Sequence, residues 1–252
     1  EFMNVRDLAD LIIFALTKIE KLPQNINIGI GHDYSIKDYY YAVAKVLACG
    51  SGLTIQHVKA GRITVNYPRI IGHEIVGEIV EINGQGGDLE IGTPVTAFFY
   101  LTCGHCRWCN IDRETLCDNF RGYIGREIDG GYAEYIKLPI ENFIKIPEEI
   151  DYKNNLLETA VVCDAVATPL KVIKKARISS FDKVGVIGAG GGLGIHMLKM
   201  LKLNNISAIG IDTKTEKFNT CNENGAEFSV SPMENNLKNK IADFSKSNDL
   251  DL

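Results

Sequence analysis

Cys103-Gly-His-Cys106-Arg-Trp-Cys109, closed by Cys117, sets four thiols at a C-x2-C-x2-C-x7-C spacing. Spacings this short turn the backbone so that successive sulfurs face one centre, where together they can hold a tetrahedral zinc. Four thiolates leave no position for water, so such a site folds a lobe and does no chemistry. A disulfide framework belongs to short secreted chains. Here the other cysteines, Cys49, Cys163 and Cys221, are scattered singly. The reading that follows is a structural zinc bound by Cys103, Cys106, Cys109 and Cys117.

The chain around this lobe has 252 residues, 45% of them hydrophobic and 23% charged, long enough for two domains with buried cores. A formal charge of -5 gives no basic footprint, so no nucleic-acid partner is expected. The apolar run from Leu11 to Leu16 is far too short to span a bilayer and follows no basic n-region or cleavage site. No membrane partner is expected, and the expected compartment is the cytosol.

Residues 1–47 read as an α/β segment. Leu8, Leu11, Ile12, Ala15, Leu16 and Ile19 form a helical stripe ending near Pro23, and Ile26 to Ile30 is a buried strand. Ser35-Ile-Lys-Asp38 has the form of a capping box and predicts a helix through Val46. From about Ala48 the character changes. Val80-Glu-Ile82, Val95 to Tyr100 and Tyr135 to Leu138 are β-rich pieces separated by glycine-rich turns, the pattern of a small all-β barrel. Leu156 to Lys175 is helical in pattern. Lys183 to Ile187 is then a buried strand that runs through a glycine loop into an apolar helix, Ile195 to Leu203, and a second strand, Ala208 to Ile211, ends on Asp212.

That loop, Gly188-x-x-Gly191-x-x-Gly194, brings backbone N–H groups to a helix N-terminus, where a pyrophosphate can be bound. Asp212, at the end of the next strand, can accept hydrogen bonds from an adenosine ribose and repel a 2′-phosphate, which favours NAD over NADP. Lys217 lies near enough to reach the same ribose. Gly72-His73-Glu74 is less telling, because a lone histidine after a glycine is usually structural.

Taken in order, Gly72-His73-Glu74, the cysteine lobe, Gly130-Gly-Tyr-Ala-Glu-Tyr135, Asp164-x-x-x-Thr168 and the glycine loop resemble the zinc-containing medium-chain alcohol dehydrogenases. The resemblance implies a mixed fold: a GroES-like β-barrel domain over residues 48–170, then a partial Rossmann domain over 171–252. It implies hydride transfer between a small-molecule alcohol or carbonyl compound and NAD, in a homo-oligomer. By position, His73 and Asp164 are the ligands of a catalytic zinc, with Cys163 as an alternative to Asp164. Glu74 is a nearby acid that tunes the metal, and Thr54 and His57 form a proton relay. The chain departs from the family at Gly52, where most members carry the first cysteine ligand, and at Ile55, where an acid is usual. Cys49 lies three residues too early to substitute.

Residues 1–47, through Glu1-Phe-Met-Asn-Val-Arg-Asp7 and Ile26-Asn-Ile-Gly-Ile-Gly31, resemble the C-terminal part of extended short-chain dehydrogenases, especially GDP-fucose synthases. Their glycine loop and Tyr-x-x-x-Lys pair are absent from this segment, so it is expected to be structural. The family frame also predicts an unpaired edge on strand 183–187 through which copies associate, and low turnover by this chain alone. Two other readings are a zinc-independent reductase of the quinone-oxidoreductase kind and a non-catalytic fusion that holds only structural zinc.

Overall fold

The computed structural model describes residues 40–84 and 86–246. The stripe at 8–19, the strand at 26–30 and the capping box at 35–38 lie outside these. The described chain opens with a strand, β1 (Tyr41–Cys49), where a helix through Val46 was expected. Alanine, lysine and leucine in this stretch favour helix locally. Tertiary pairing overrides that preference, because β1 is bonded on both sides in an antiparallel sheet. Ala42 and Ala44 point inward with no exposure at all, small side chains at the crowded middle of the sheet.

The partners of β1 are β2 (Ile75–Asn83) and β6 (Tyr135–Pro139). With β3 (Pro94–Ala97) and β7 (Phe143–Lys145) they form a five-stranded antiparallel sheet in the order β6-β1-β2-β3-β7. The stretch Val95 to Tyr100, read as one strand, is broken: β3 stops at Ala97, and Tyr100–Leu101 (β4) instead pairs with Gly122–Tyr123 (β5). That two-stranded ribbon flanks the cysteine lobe. Ile75, Ile79, Val95, Ile124 and Leu138 are almost fully buried in one cluster, each burial stabilising by about 1.5–3 kcal/mol.

A short helix, α1 (Leu53–Lys59), follows β1. The helical stretch after Pro147 resolves into α2 (Leu156–Ala160), a wide π-helical turn (Val162–Val166) and α3 (Ala167–Ala176). Beyond it, β8 (Lys183–Ile187), α4 (Gly192–Leu203) and β9 (Ser207–Ile211) form a parallel βαβ unit, the strands within one residue of the expected bounds and the helix starting three residues earlier than expected. Then α5 (Phe218–Glu223), β10 (Ser229–Val230) and α6 (Leu237–Lys246) complete a three-stranded sheet, β10-β9-β8. α4 packs on β8 and β9 and also on α3 and the 162–166 turn. The βαβ unit is thereby seated against the region that carries Asp164. Among the described residues, no helix is long and apolar enough to cross a membrane.

Candidate active site and metal lobe

The four lobe sulfurs lie within 4.8 Å of one another. Cys106–Cys109 and Cys103–Cys117 are 3.5 Å apart, and Cys106–Cys117 is 3.9 Å. A zinc with Zn–S bonds of about 2.3 Å needs sulfur–sulfur edges of about 3.8 Å, so the cage fits the ion. The surrounding backbone favours thiolate at part of the site. The His105 N–H foremost draws the Cys103 thiol down to about 6, while burial pushes Cys109 up to about 11.

His73 and Glu74 lead into β2 from Gly72, whose φ of +96° is open to glycine. A Cβ there would also sit 2.8 Å from the Cys49 sulfur. The turn thus presses the chain against β1 and leaves both following side chains buried. Asp164 comes from the π-helical turn, a local widening common at functional sites. Although 91 residues apart, His73 Nε2 and Asp164 Oδ2 meet at 3.1 Å. Asp164 Oδ1 accepts the Thr168 hydroxyl at 3.0 Å. The His73 bond is the main reason the Asp164 carboxyl is held below its ordinary range. Phe99 lies against the imidazole with ring centres 5.0 Å apart. Burial raises the Glu74 carboxyl, partly offset by His73, and Glu74 accepts the Ala165 N–H.

Asp164 lies on a cleft of about 560 Å³ between the Phe98–Phe99–Tyr100 wall and one face of α3. Whether this corner can hold a catalytic metal depends on its donors. Among the described residues, only the cysteine lobe gathers three or more ligand atoms within 4.8 Å. Gly52 is extended at the start of α1 (φ -77°, ψ 176°) and brings no donor; a Cβ there would meet only Glu74 Oε2, at 3.6 Å. The Cys163 thiol faces the His73 carbonyl at 3.8 Å instead of joining its ring nitrogen. His73 and Asp164 make two donors, short of the three a catalytic zinc site usually has. Thr54 and His57 share a face of α1, and among the described residues neither side chain makes a hydrogen bond.

At the glycine loop the residues do fit a dinucleotide. Gly191 caps α4 without a side-chain bond, leaving the first N–H groups for an anion. Cβ atoms built on Gly188 or Gly192 would meet nothing within 4 Å, so the loop faces open space. At Gly194 a Cβ would lie 2.3 Å from the Gly188 carbonyl oxygen, so helix and loop pack too closely for any side chain. Asp212 stands at the end of β9 as expected, and its oxygens accept the Gly190 N–H at 2.8 Å and the Lys214 N–H at 2.9 Å. A carboxylate has about four acceptor sites, so two remain for a ribose. Lys217 was expected at that ribose, but its ammonium donates to the Gly190 carbonyl at 2.7 Å. Gly190 and Phe99 were not singled out by sequence reasoning. No local signal marks Phe99, whereas Gly190 sits within the glycine run itself.

The family signature described as the alcohol dehydrogenase GroES-like domain matches residues 40–148. Residues 40–47 therefore fall in that domain and not in a short-chain dehydrogenase tail, a resemblance that gains no support here. The chain is 31% identical over 197 residues to an alcohol dehydrogenase of Geobacillus stearothermophilus, which covers 77% of this chain and 57% of the relative. It is 28% identical over 217 residues to an NAD-dependent alcohol dehydrogenase of Sulfolobus acidocaldarius, covering 85% of this chain and 60% of the relative. The crystal structure of the alcohol dehydrogenase of Aeropyrum pernix superposes with a TM-score of 0.72 at 27% identity, over 89% of this chain and 66% of that one. The chain thus spans about three fifths of the curated relatives' length. With these matches, residues 40–148 carry the alcohol dehydrogenase GroES-like domain, and the chain, with its parallel βαβ unit, is similar to medium-chain alcohol dehydrogenases.

Proposed function

We propose that the chain serves an NAD-dependent oxidoreductase that moves hydride between a small alcohol and its carbonyl form, with one structural zinc in the cysteine lobe. The observation that carries this is the seating of α4, the helix at the glycine loop, on the turn that holds Asp164 against His73. It sets the helix that follows the cofactor loop against the turn whose Asp164 lines the cleft and is bonded to the buried His73 imidazole. Residues 40–170 are read as the domain of the cleft and the lobe, and residues 171–252 as the nucleotide-binding domain. The name of the Sulfolobus acidocaldarius relative supports NAD as the cofactor.

When bound, NAD supplies the hydride acceptor. The α4 N-terminus would receive the pyrophosphate, and Asp212, which fixes the loop through Gly190, would hold the ribose hydroxyls. Thr168 holds Asp164, which keeps the His73 ring in one orientation, and the oxygen of an alcohol can hydrogen-bond to the Asp164 carboxylate or the Thr168 hydroxyl, both of which line the cleft. Thr54 and His57, on one face of α1, are proposed to carry the alcohol proton to solvent. The Phe99 wall keeps water from the reacting carbon. Glu74 is a buried acid beside the pair, suited to positioning it.

A second reading is favoured by Gly52 and the direct His73–Asp164 bond: a reductase that works on carbonyl compounds with no catalytic metal. Steady-state assays with NAD and an alcohol panel, and with NADH and the matching aldehydes and quinones, test both. Alcohol-dependent NADH formation that is lost in His73→Ala supports the first reading. Turnover confined to quinones favours the second, and no turnover in either direction overturns both.

A further inference from the structure

The cleft beside Asp164 has an uneven charge. Lys171 and Lys175 both line it from α3. Four residues apart, they share one face of the helix. Among the described residues, neither side chain takes part in an ion pair or a hydrogen bond. The one acid on the cleft wall, Asp164, already has its oxygens bonded to His73 and Thr168. Two exposed lysines without a partner among the described residues therefore line the same cleft as Phe98, Phe99 and Tyr100, in a chain whose overall charge is -5. Like charges one turn apart are unfavourable on a bare helix, and an anion between them removes that repulsion.

We propose that the cleft takes an alcohol or carbonyl compound bearing an anionic group at its far end, and that Lys171 and Lys175 bind that group. This rests on the reading of the cleft given under Proposed function. Helix geometry sets the span. From Thr168, beside the His73–Asp164 pair, Lys171 is about 4.5 Å and Lys175 about 10 Å further along the axis. The ligand is therefore a chain of several atoms with its reacting carbon at the cleft floor, its apolar middle against Phe98 and Tyr100, and a carboxylate or phosphate at the lysines. Flexible ammonium groups act as point charges and suit either anion without bidentate geometry. A simple short alcohol would leave both lysines unused.

The test uses the zinc-loaded 252-residue chain and calorimetric titration with hexyl phosphate, hexanoate and 1-hexanol, with and without saturating NAD. Hexyl phosphate should bind at least about tenfold more tightly than 1-hexanol, with hexanoate showing whether carboxylate serves as well. The Lys171→Gln, Lys175→Gln double variant should abolish that advantage and leave 1-hexanol and zinc content unchanged. Each single variant should remove part of it. Hexyl phosphate binding no tighter than 1-hexanol, including no binding of either, overturns the proposal, and so does indifference to the lysine variants. Competitive displacement of hexyl phosphate by NAD overturns it too, because the lysines would then belong to the cofactor. A separate NAD titration keeps the two readings distinct. Lysine-dependent binding of hexyl phosphate without NAD binding would retain the anionic cleft and remove the proposed dehydrogenase.

Discussion

At Gly52 a single missing side chain sets the number of metal ions the protein is predicted to carry. His73 and Asp164 are close enough to share an ion, but two donors leave an incomplete shell. The expected count is one tightly held zinc per chain. Gly52→Cys should raise it towards two, since the backbone there is extended and a Cβ makes only an ordinary contact with Glu74. Elemental analysis after dialysis checks this. A wild-type count of two that survives His73→Ala would refute it. Asp212 carries a second expectation at this scale. Its carboxyl lies below the ordinary range, mainly because of the Lys214 N–H. A lowered folded-state value adds stability that is complete above the unfolded value, about 3.9, and is lost as pH falls through the lower folded one. NAD should therefore be preferred over NADP by about tenfold or more from about pH 5 upward. Asp212→Asn should erase the preference, and equal affinities in the parent protein would rule the role out.

At the level of elements, the cysteine lobe and α4 make the clearest demands. Zinc binding to finger peptides is worth about 10–16 kcal/mol, so Cys106→Ser should release the metal and lower the melting temperature of the β4–β5 region. Unchanged metal content and melting would show that the cage is not a zinc site. Gly194→Ala drives a methyl group into two carbonyl oxygens of the loop, Gly188 at 2.3 Å and Ala189 at 2.6 Å. Overpacking of this kind costs about 1–3 kcal/mol and should weaken NAD binding by pushing α4 off the loop. Undiminished binding in titration would show that the helix can shift freely. These two elements are also the ones most legible in sequence, because their information is local: thiol spacing in one, a strand, glycines and a following acid in the other. β1 was not legible. In it, Ala42 and Ala44 are chosen by neighbours 35 to 40 and 92 to 96 residues away, and nearby residues read as helix. The meeting of His73 with Asp164 was reached through family likeness, and the Lys217–Gly190 bond not at all, since no pattern along the chain encodes a contact between distant loops.

For the molecule as a whole, the side of β8 left open among the described residues carries a prediction about behaviour in solution. Among the described residues β8 pairs only with β9, and Ile187 at its end is 84% exposed, with Phe181 before it 94% exposed. An open parallel edge next to bare apolar side chains is a template for pairing with another chain. The 252-residue protein should therefore associate as concentration rises, and Ile187→Lys should reduce this. Sedimentation over a range of concentrations checks it, and a monomer at every concentration would count against it. One feature of the lobe offers a way to watch all of this. The chain has a single tryptophan, Trp108, set between two cysteines of the lobe, Cys106 and Cys109. Its indole N–H donates to Asp118 at 3.1 Å, and the Arg107 guanidinium lies 4.7 Å from its ring centre. Emission excited at the red edge of indole absorption thus comes from one lamp mounted on the metal cage. Its colour and brightness report whether the ion is in place in each sample, with no label added.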